Sequence, residues 1–203
     1  MNVTIFDHGA GNLHSLAKAL ERAGAIVRIE SDPIAALDTP ALVLPGVGAF
    51  GAAAERLAPG RDAMRTALAE GLPCLGVCLG MQLLFDGSDE GDGRGLGLIP
   101  GRVRALRTRR RPHMGWNDAE PVPGTAGLSR LALLAYFAHS FVCEPADRAC
   151  VVATTTLESE CFASAVQHSR TLGVQFHPEK SGPAGLALLA AWLDIVRTPG
   201  VRA

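Results

Sequence analysis

Short apolar runs alternate with amphipathic stretches through the N-terminal part of the chain. Val3 to Phe6 reads as a buried strand, Leu13 to Ala23 as a helix closed by Gly24, and Ile26 to Ile29 as a second strand. Ala41 to Leu44 makes a third strand, and Arg61 to Glu70 a helix stopped by Gly71. Cys74 to Val77 is a fourth strand that runs into a helix over Leu79 to Phe85. This rhythm predicts an α/β fold, with a mostly parallel sheet, helices on both faces and sites at the carboxyl ends of the strands. After Phe85 the pattern changes. Gly87 to Gly101 is a Gly- and Asp-rich loop, and Arg102 to Val166 carries short β-like runs separated by turn residues, which predicts antiparallel strands and hairpins. Leu172 to Phe176 returns as a strand and Ala184 to Val196 closes as an amphipathic helix. No repeat or linker divides residues 1–203, so a single domain is expected.

The strand-to-helix junction at Cys74 to Met81 contains Gly76-Val77-Cys78-Leu79-Gly80, a G-x-C-x-G. Glycines on either side of a nucleophile allow the tight turn that lifts its side chain out of a sheet, and a thiol placed there meets the positive end of a helix. Downstream, His177-Pro178-Glu179 supplies the other parts of a triad. Pro178 disfavours the α conformation at His177, so the triplet is expected to be extended, with Glu179 on the same side as the imidazole. Cys78, His177 and Glu179 then match nucleophile, base and orienting carboxylate, whatever their order in the chain. The remaining thiols, Cys74, Cys143, Cys150 and Cys161, read as small buried hydrophobes, and His8, His14, His113, His139 and His168 as structural. Cys74 and Cys78 have the spacing of half a metal site, but no second pair completes it. No metal or cofactor is expected.

Composition narrows the class further. The chain has 203 residues, 48% of them apolar, and a formal net charge of −1, which points neither to nucleic acid nor to a membrane surface. Five irregularly spaced cysteines suit reduced thiols, and the N-terminus has no signal-like pattern, so a cytoplasmic protein is expected. The cluster Arg107, Arg109, Arg110 and Arg111 reads as a solvated hairpin, since interleaved aromatics are missing and the chain favours Arg over Lys throughout.

With the elbow and the His-Pro-Glu triplet in place, the chain resembles the class I glutamine amidotransferases. Six segments narrow the resemblance: Asp7-His8-Gly9-Ala10-Gly11-Asn12, Leu44-Pro45-Gly46-Val47-Gly48-Ala49-Phe50, Gly76 to Gln82, Gly95 to Gly101, His113-Met114-Gly115-Trp116-Asn117, and Phe176-His177-Pro178-Glu179-Lys180-Ser181. Together they are similar to the glutaminase subunits of imidazole glycerol phosphate synthase, from near residue 3 to near residue 196. The resemblance implies a flavodoxin-like three-layer sandwich, with a mostly parallel central sheet and a small antiparallel β-hairpin region. It implies hydrolysis of glutamine to glutamate and ammonia. It also implies a heterodimer with a separate cyclase subunit, which uses the ammonia to form imidazole glycerol phosphate and aminoimidazole carboxamide ribotide.

Carried over by position, the oxyanion would be held by Leu79 and by the Val47-Gly48 segment, whose glycines allow a peptide to rotate between idle and active orientations. Gln82, Glu90, His139, Ser140 and Phe141 would bind the substrate glutamine, Glu90 through its α-ammonium. Asn12, Trp116, Asn117 and Lys180 would face the cyclase. His8 stands where the family usually has Tyr, and Phe141 where it often does. Glutaminases of other synthases differ in the oxyanion strand and have no Met-Gly-Trp-Asn. Cysteine hydrolases on the same sheet often place His directly after the Cys, where this chain has Leu79.

Overall fold

Strand periodicity sorts the chain's apolar side chains into two cores, one on each face of a central sheet. In the computed structural model, which describes residues 1–9, 13–125 and 133–198, the sheet begins with β1 (Asn2–Phe6), β2 (Ile26–Glu30), β3 (Leu42–Leu44) and β4 (Cys74–Val77). Ala41, Val43, Leu75 and Val77 point to one face and Leu42, Leu44 and Cys74 to the other, as a period of two requires. The first face is covered by α1 (Leu13–Arg22) and α5 (Gly182–Arg197), the second by α2 (Phe50–Leu57), α3 (Arg61–Ala69) and α4 (Leu79–Gln82). The result is a three-layer α/β sandwich. Fully buried Trp192, Leu189 and Leu193 bind α5 to the sheet, and truncating such a leucine to alanine costs about 2–5 kcal/mol.

Among the described residues, eight more strands make the small sheet and the antiparallel part, beginning with β5 (Gly87–Ser88), β6 (Gly101–Ala105), β7 (His113–Pro121) and β8 (Leu133–His139). They are followed by β9 (Phe141–Pro145), β10 (Val151–Leu157), β11 (Glu160–His168) and β12 (Thr171–Val174). The large sheet runs β2-β1-β3-β4-β12-β11-β10-β7-β8, and β5-β6-β9 form a second sheet. Pairing is parallel from β2 to β12 and antiparallel beyond it, so the expected hairpins extend the central sheet itself. The arginine-rich loop between β6 and β7 hangs from the β10–β11 hairpin. Backbone N–H groups of Arg107 and Arg109 donate to Glu160 and Glu158 at 2.5 and 3.0 Å.

Several expectations need correction. α2 was not anticipated, although Phe50, Ala53, Ala54 and Leu57 are its buried residues at helical spacing; alanines and Gly51 mute that signal. α4 is one turn long instead of reaching Phe85. Leu84 and Phe85 bond back to Met81 and Gln82, the tighter i→i+3 pattern with which helices end. Cys150 is only half buried and Cys161 is exposed, so neither is a core thiol. Cys74 and Cys143 are core residues, and burial pushes both thiols far above the usual range.

Candidate active site

β4 delivers Cys78 at its carboxyl end, between the two cores. The residue has φ 48° and ψ −102°, a strained conformation for a side chain with a Cβ. The flanking glycines serve the turn through close approach. A Cβ on Gly76 would lie 2.7 Å from the Gly80 carbonyl oxygen, and one on Gly80 would lie 2.0 Å from that of Leu44. Cys78 donates its backbone N–H to Val174 O at 2.7 Å, which ties the elbow to β12. Because α4 is a single turn, its dipole offers the sulfur little, and the charge must be supported by neighbouring groups.

His177 leaves β12 in an extended conformation, φ −103° and ψ 96°, as Pro178 requires. The triplet as a whole is not extended, however, since Pro178–Lys180 coil into a 3₁₀ turn. That turn still carries Glu179 under the ring, with Oε1 2.8 Å from His177 Nδ1 and both side chains buried. α5 presses on the turn through Gly185, where a Cβ would lie 2.0 Å from Pro178 O. The backbone of His177 is clamped as well: its N–H donates to Tyr136 O at 2.8 Å, and its carbonyl accepts from the Ser181 hydroxyl at 2.6 Å. That hydroxyl in turn accepts from the Tyr136 N–H at 3.0 Å. Burial alone pulls the imidazolium of His177 down. Hydrogen bonds to Cys78 and Glu179, together with their charges, outweigh burial and raise it to about 9. The ring is therefore placed to take the thiol proton and hold it.

Above the sulfur lies a cavity of about 280 Å³, lined by Gly46, Val47, Gly48, Cys78, Leu79, Gln82, Glu90 and the 138–141 segment. The Gly46-Val47-Gly48 segment, expected to hold the oxyanion, lies against the elbow: a Cβ on Gly46 would approach Val77 O to 2.8 Å. Leu79 N–H faces Gly46 O at 3.5 Å, so that carbonyl, and not a second donor, occupies the position opposite Leu79. Gly48 has φ +129°, open to glycine alone in practice. Glu90 accepts from Phe50 N–H at 2.9 Å with one carboxylate oxygen, capping α2 just after the Gly46-Val47-Gly48 segment.

Gln82 donates through Nε2 to Phe141 O at 3.1 Å and to Gln175 Oε1 at 3.4 Å, and Gln175 Nε2 lies 3.5 Å from Cys78 Sγ. His139 and Ser140 line the cavity beside Phe141. The ring of His139 lies 3.0 Å from Phe141 O through Nδ1 and 3.1 Å from His113 Nδ1 through Nε2. Burial, with His113 and His177 nearby, lowers His139 to about 3, so it is neutral, donates to Phe141 O and accepts from His113.

Residues expected to face a partner divide. Trp116 is exposed on β7 with Met114, and it packs edge-on against Tyr136 of β8 at 5.9 Å. Lys180 Nζ stands 5.8 Å over the Tyr136 ring. Asn117 follows on β7, where its amide donates to Thr156 O at 3.0 Å and meets His113 Nε2 at 3.4 Å, and it lines one surface pocket together with Met114 and Trp116. Asn12 lies outside the described residues. Three contacts escaped the sequence reading. His8, whose pKa burial lowers, reaches Pro45 O at 3.1 Å through Nε2, Tyr136 links Trp116 to Lys180, and Gln175 meets Cys78 Sγ. Only Gln175 gave a sequence signal, as an amide inside an apolar run.

A family model described as glutamine amidotransferase class-I matches residues 4–195. The chain is 45% identical over 205 residues to the imidazole glycerol phosphate synthase subunit HisH of Halobacterium salinarum, covering 95% of this chain and 93% of that one. It is 43% identical over 201 residues to the subunit of the same name from Cutibacterium acnes, covering 96% and 97%. A solved structure described as a glutamine amidotransferase superposes with a TM-score of 0.76 over 97% of this chain and 99% of its own, at 19% identity, a likeness of fold.

Proposed function

The chain belongs to the class I glutamine amidotransferases and, within them, to the HisH glutaminase subunits of imidazole glycerol phosphate synthase in histidine biosynthesis; from this premise we propose how its own residues perform the reaction. Cys78 passes its proton to His177 and attacks the side-chain carbonyl carbon of glutamine. The tetrahedral intermediate collapses as His177 returns the proton to the departing nitrogen, leaving a γ-glutamyl thioester and ammonia. Water, deprotonated by His177, then attacks the thioester, and glutamate leaves as the thiol is restored. Leu79 N–H is one oxyanion donor. Rotation of the Gly46–Val47 peptide removes the Gly46 carbonyl from that N–H and presents the Val47 N–H as the second, so the resting chain is poised but not assembled. Glu90, with Gln82 and the His139-Ser140-Phe141 backbone, holds the amino acid.

The partner in this reading is a separate cyclase subunit in the cytoplasm, joined as a heterodimer. It docks on the face where Met114, Trp116 and Leu134 are exposed beside Tyr136 and Lys180. Ala138, on that same side of β8, lines the Cys78 cavity, so a partner seated there would receive ammonia before water could protonate it. The observation that carries the proposal is the buried 2.8 Å His177–Glu179 pair beside Cys78 at the strained elbow. The test is labelling with a diazo-ketone glutamine analogue, followed by glutamine hydrolysis with and without the cyclase and its nucleotide ligand. Uptake on Cys78 and hydrolysis stimulated by the cyclase are expected. An unlabelled Cys78, or turnover indifferent to the cyclase, refutes it.

A further inference from the structure

Gln175 is wholly buried between Val174 and Phe176, and its backbone N–H is already satisfied by Ser164 O at 2.9 Å. A buried primary amide is costly unless its side-chain groups are bonded. Those of Gln175 meet two active-site groups, Gln82 Nε2 at 3.4 Å and Cys78 Sγ at 3.5 Å. Chemistry alone fixes which end is which. Phe141 O can only accept, so Gln82 must turn its NH₂ toward it at 3.1 Å. The same NH₂ faces Gln175 and can only donate, so Gln175 presents Oε1 there. Its own NH₂ is left pointing at the sulfur.

We propose that Gln175 is a further catalytic residue, whose amide N–H donates to the Cys78 sulfur and holds it as a thiolate, with Gln82 orienting that amide. The inference rests on Cys78 being the nucleophile. Cys78 is buried, 5% exposed, at a one-turn helix, so its sulfur depends on side chains for donors. His177 supplies one, but surrenders its proton to the departing nitrogen. Gln175 is neutral and keeps its hydrogens throughout, so it also supports the thiolate when the γ-glutamyl group leaves. In forming the thiolate the thiol proton goes to His177, and no other reactant is needed.

The experiment measures chloroacetamide alkylation of Cys78 by peptide mass as a function of pH, in the parent chain and in Gln175→Met, Gln175→Glu and Gln82→Met. A hydrogen bond to a charged group corresponds to roughly a 10- to 100-fold effect. Gln175→Met should therefore be alkylated about that much more slowly at neutral pH, with its rate curve displaced to higher pH. Gln175→Glu, the same shape with a negative charge, should be displaced further, and Gln82→Met less, in the same direction. With the cyclase present, kcat for glutamine should fall in the same order. A residue that only filled space would leave the pH curve where it was. Parent-like curves and kcat in both Gln175 variants overturn the proposal. If Gln175→Met unfolds by circular dichroism, the isosteric Gln175→Glu decides. If the curves shift as expected but the parent never releases glutamate, the assignment of Gln175 stands and the glutaminase reading falls.

Discussion

Replacing Glu179 by glutamine separates the two jobs proposed for its carboxylate, since an amide oxygen still accepts from His177 Nδ1–H while the charge is lost. The rise of His177 from 6.5 to about 9, against burial, is worth roughly 3 kcal/mol in favour of the protonated ring. Cys78 is its first source and Glu179 its second. The share of one charge-assisted bond is about 1.5–3 kcal/mol, so kcat should fall roughly 10- to 100-fold. His177→Ala, which removes the acid and base outright, should cost roughly 10²- to 10⁴-fold. The pH dependence gives the sharper test. Expulsion of ammonia uses the proton that His177 took from Cys78, and the ring facing the free sulfur retains that proton up to about pH 9. With the anion gone the ring loses its proton earlier, so the alkaline limb of the kcat profile must move to lower pH. Glutamate release in the presence of the cyclase subunit, recorded from pH 6 to 10, measures both (roughly the span over which an imidazole with a raised pKa titrates). An unmoved alkaline limb, or Glu179→Gln as inactive as His177→Ala, would refute the assignment of roles.

Glu90→Gln keeps an acceptor for Phe50 N–H and loses only the charge toward the substrate ammonium, so KM for glutamine should rise with kcat near the parent value. Glu90→Ala adds the loss of the α2 cap, about 1 kcal/mol, and should lower kcat as well; identical kinetics for the two variants would sink the capping role. Trp116→Ala and Lys180→Ala should leave the circular dichroism of the isolated chain intact, Trp116 being 54% exposed, yet weaken cyclase binding by tenfold or more on titration, the order of an interface hot spot. Unchanged affinity would return both residues to a surface role. His139, held neutral down to about 3, stabilises the fold fully above its unfolded value of 6.5 and progressively less as pH falls toward 3. His139→Gln should flatten that acid-side decline in thermal melts, and a decline as steep as the parent's would count against it.

Much of this was written in the chain itself. Apolar periodicity located β1, β3, β4, α1 and α5 because both cores are built from that periodicity. Gly76 and Gly80 marked the elbow around Cys78 because backbones pass those two positions too closely for any Cβ. His177 and Glu179 stood two apart and could not help meeting, although a 3₁₀ turn brought them together in place of the expected extended chain. What the sequence could not decide was everything set by contacts between distant segments. Nothing local to Trp116 shows that it packs on Tyr136, which the pairing of β7 with β8 sets directly opposite it. The sequence offered Glu90 as an expected substrate contact and gave no sign that it caps α2, forty positions upstream. Whether Gly46 O or a donor faces Leu79 depends on one peptide's rotation, which local sequence leaves free. Gln175 was one polar residue in an apolar run, and only the tertiary fold, by setting Phe141 of β9 in the small sheet beside the carboxyl ends of β4 and β12, aims its amide at the sulfur.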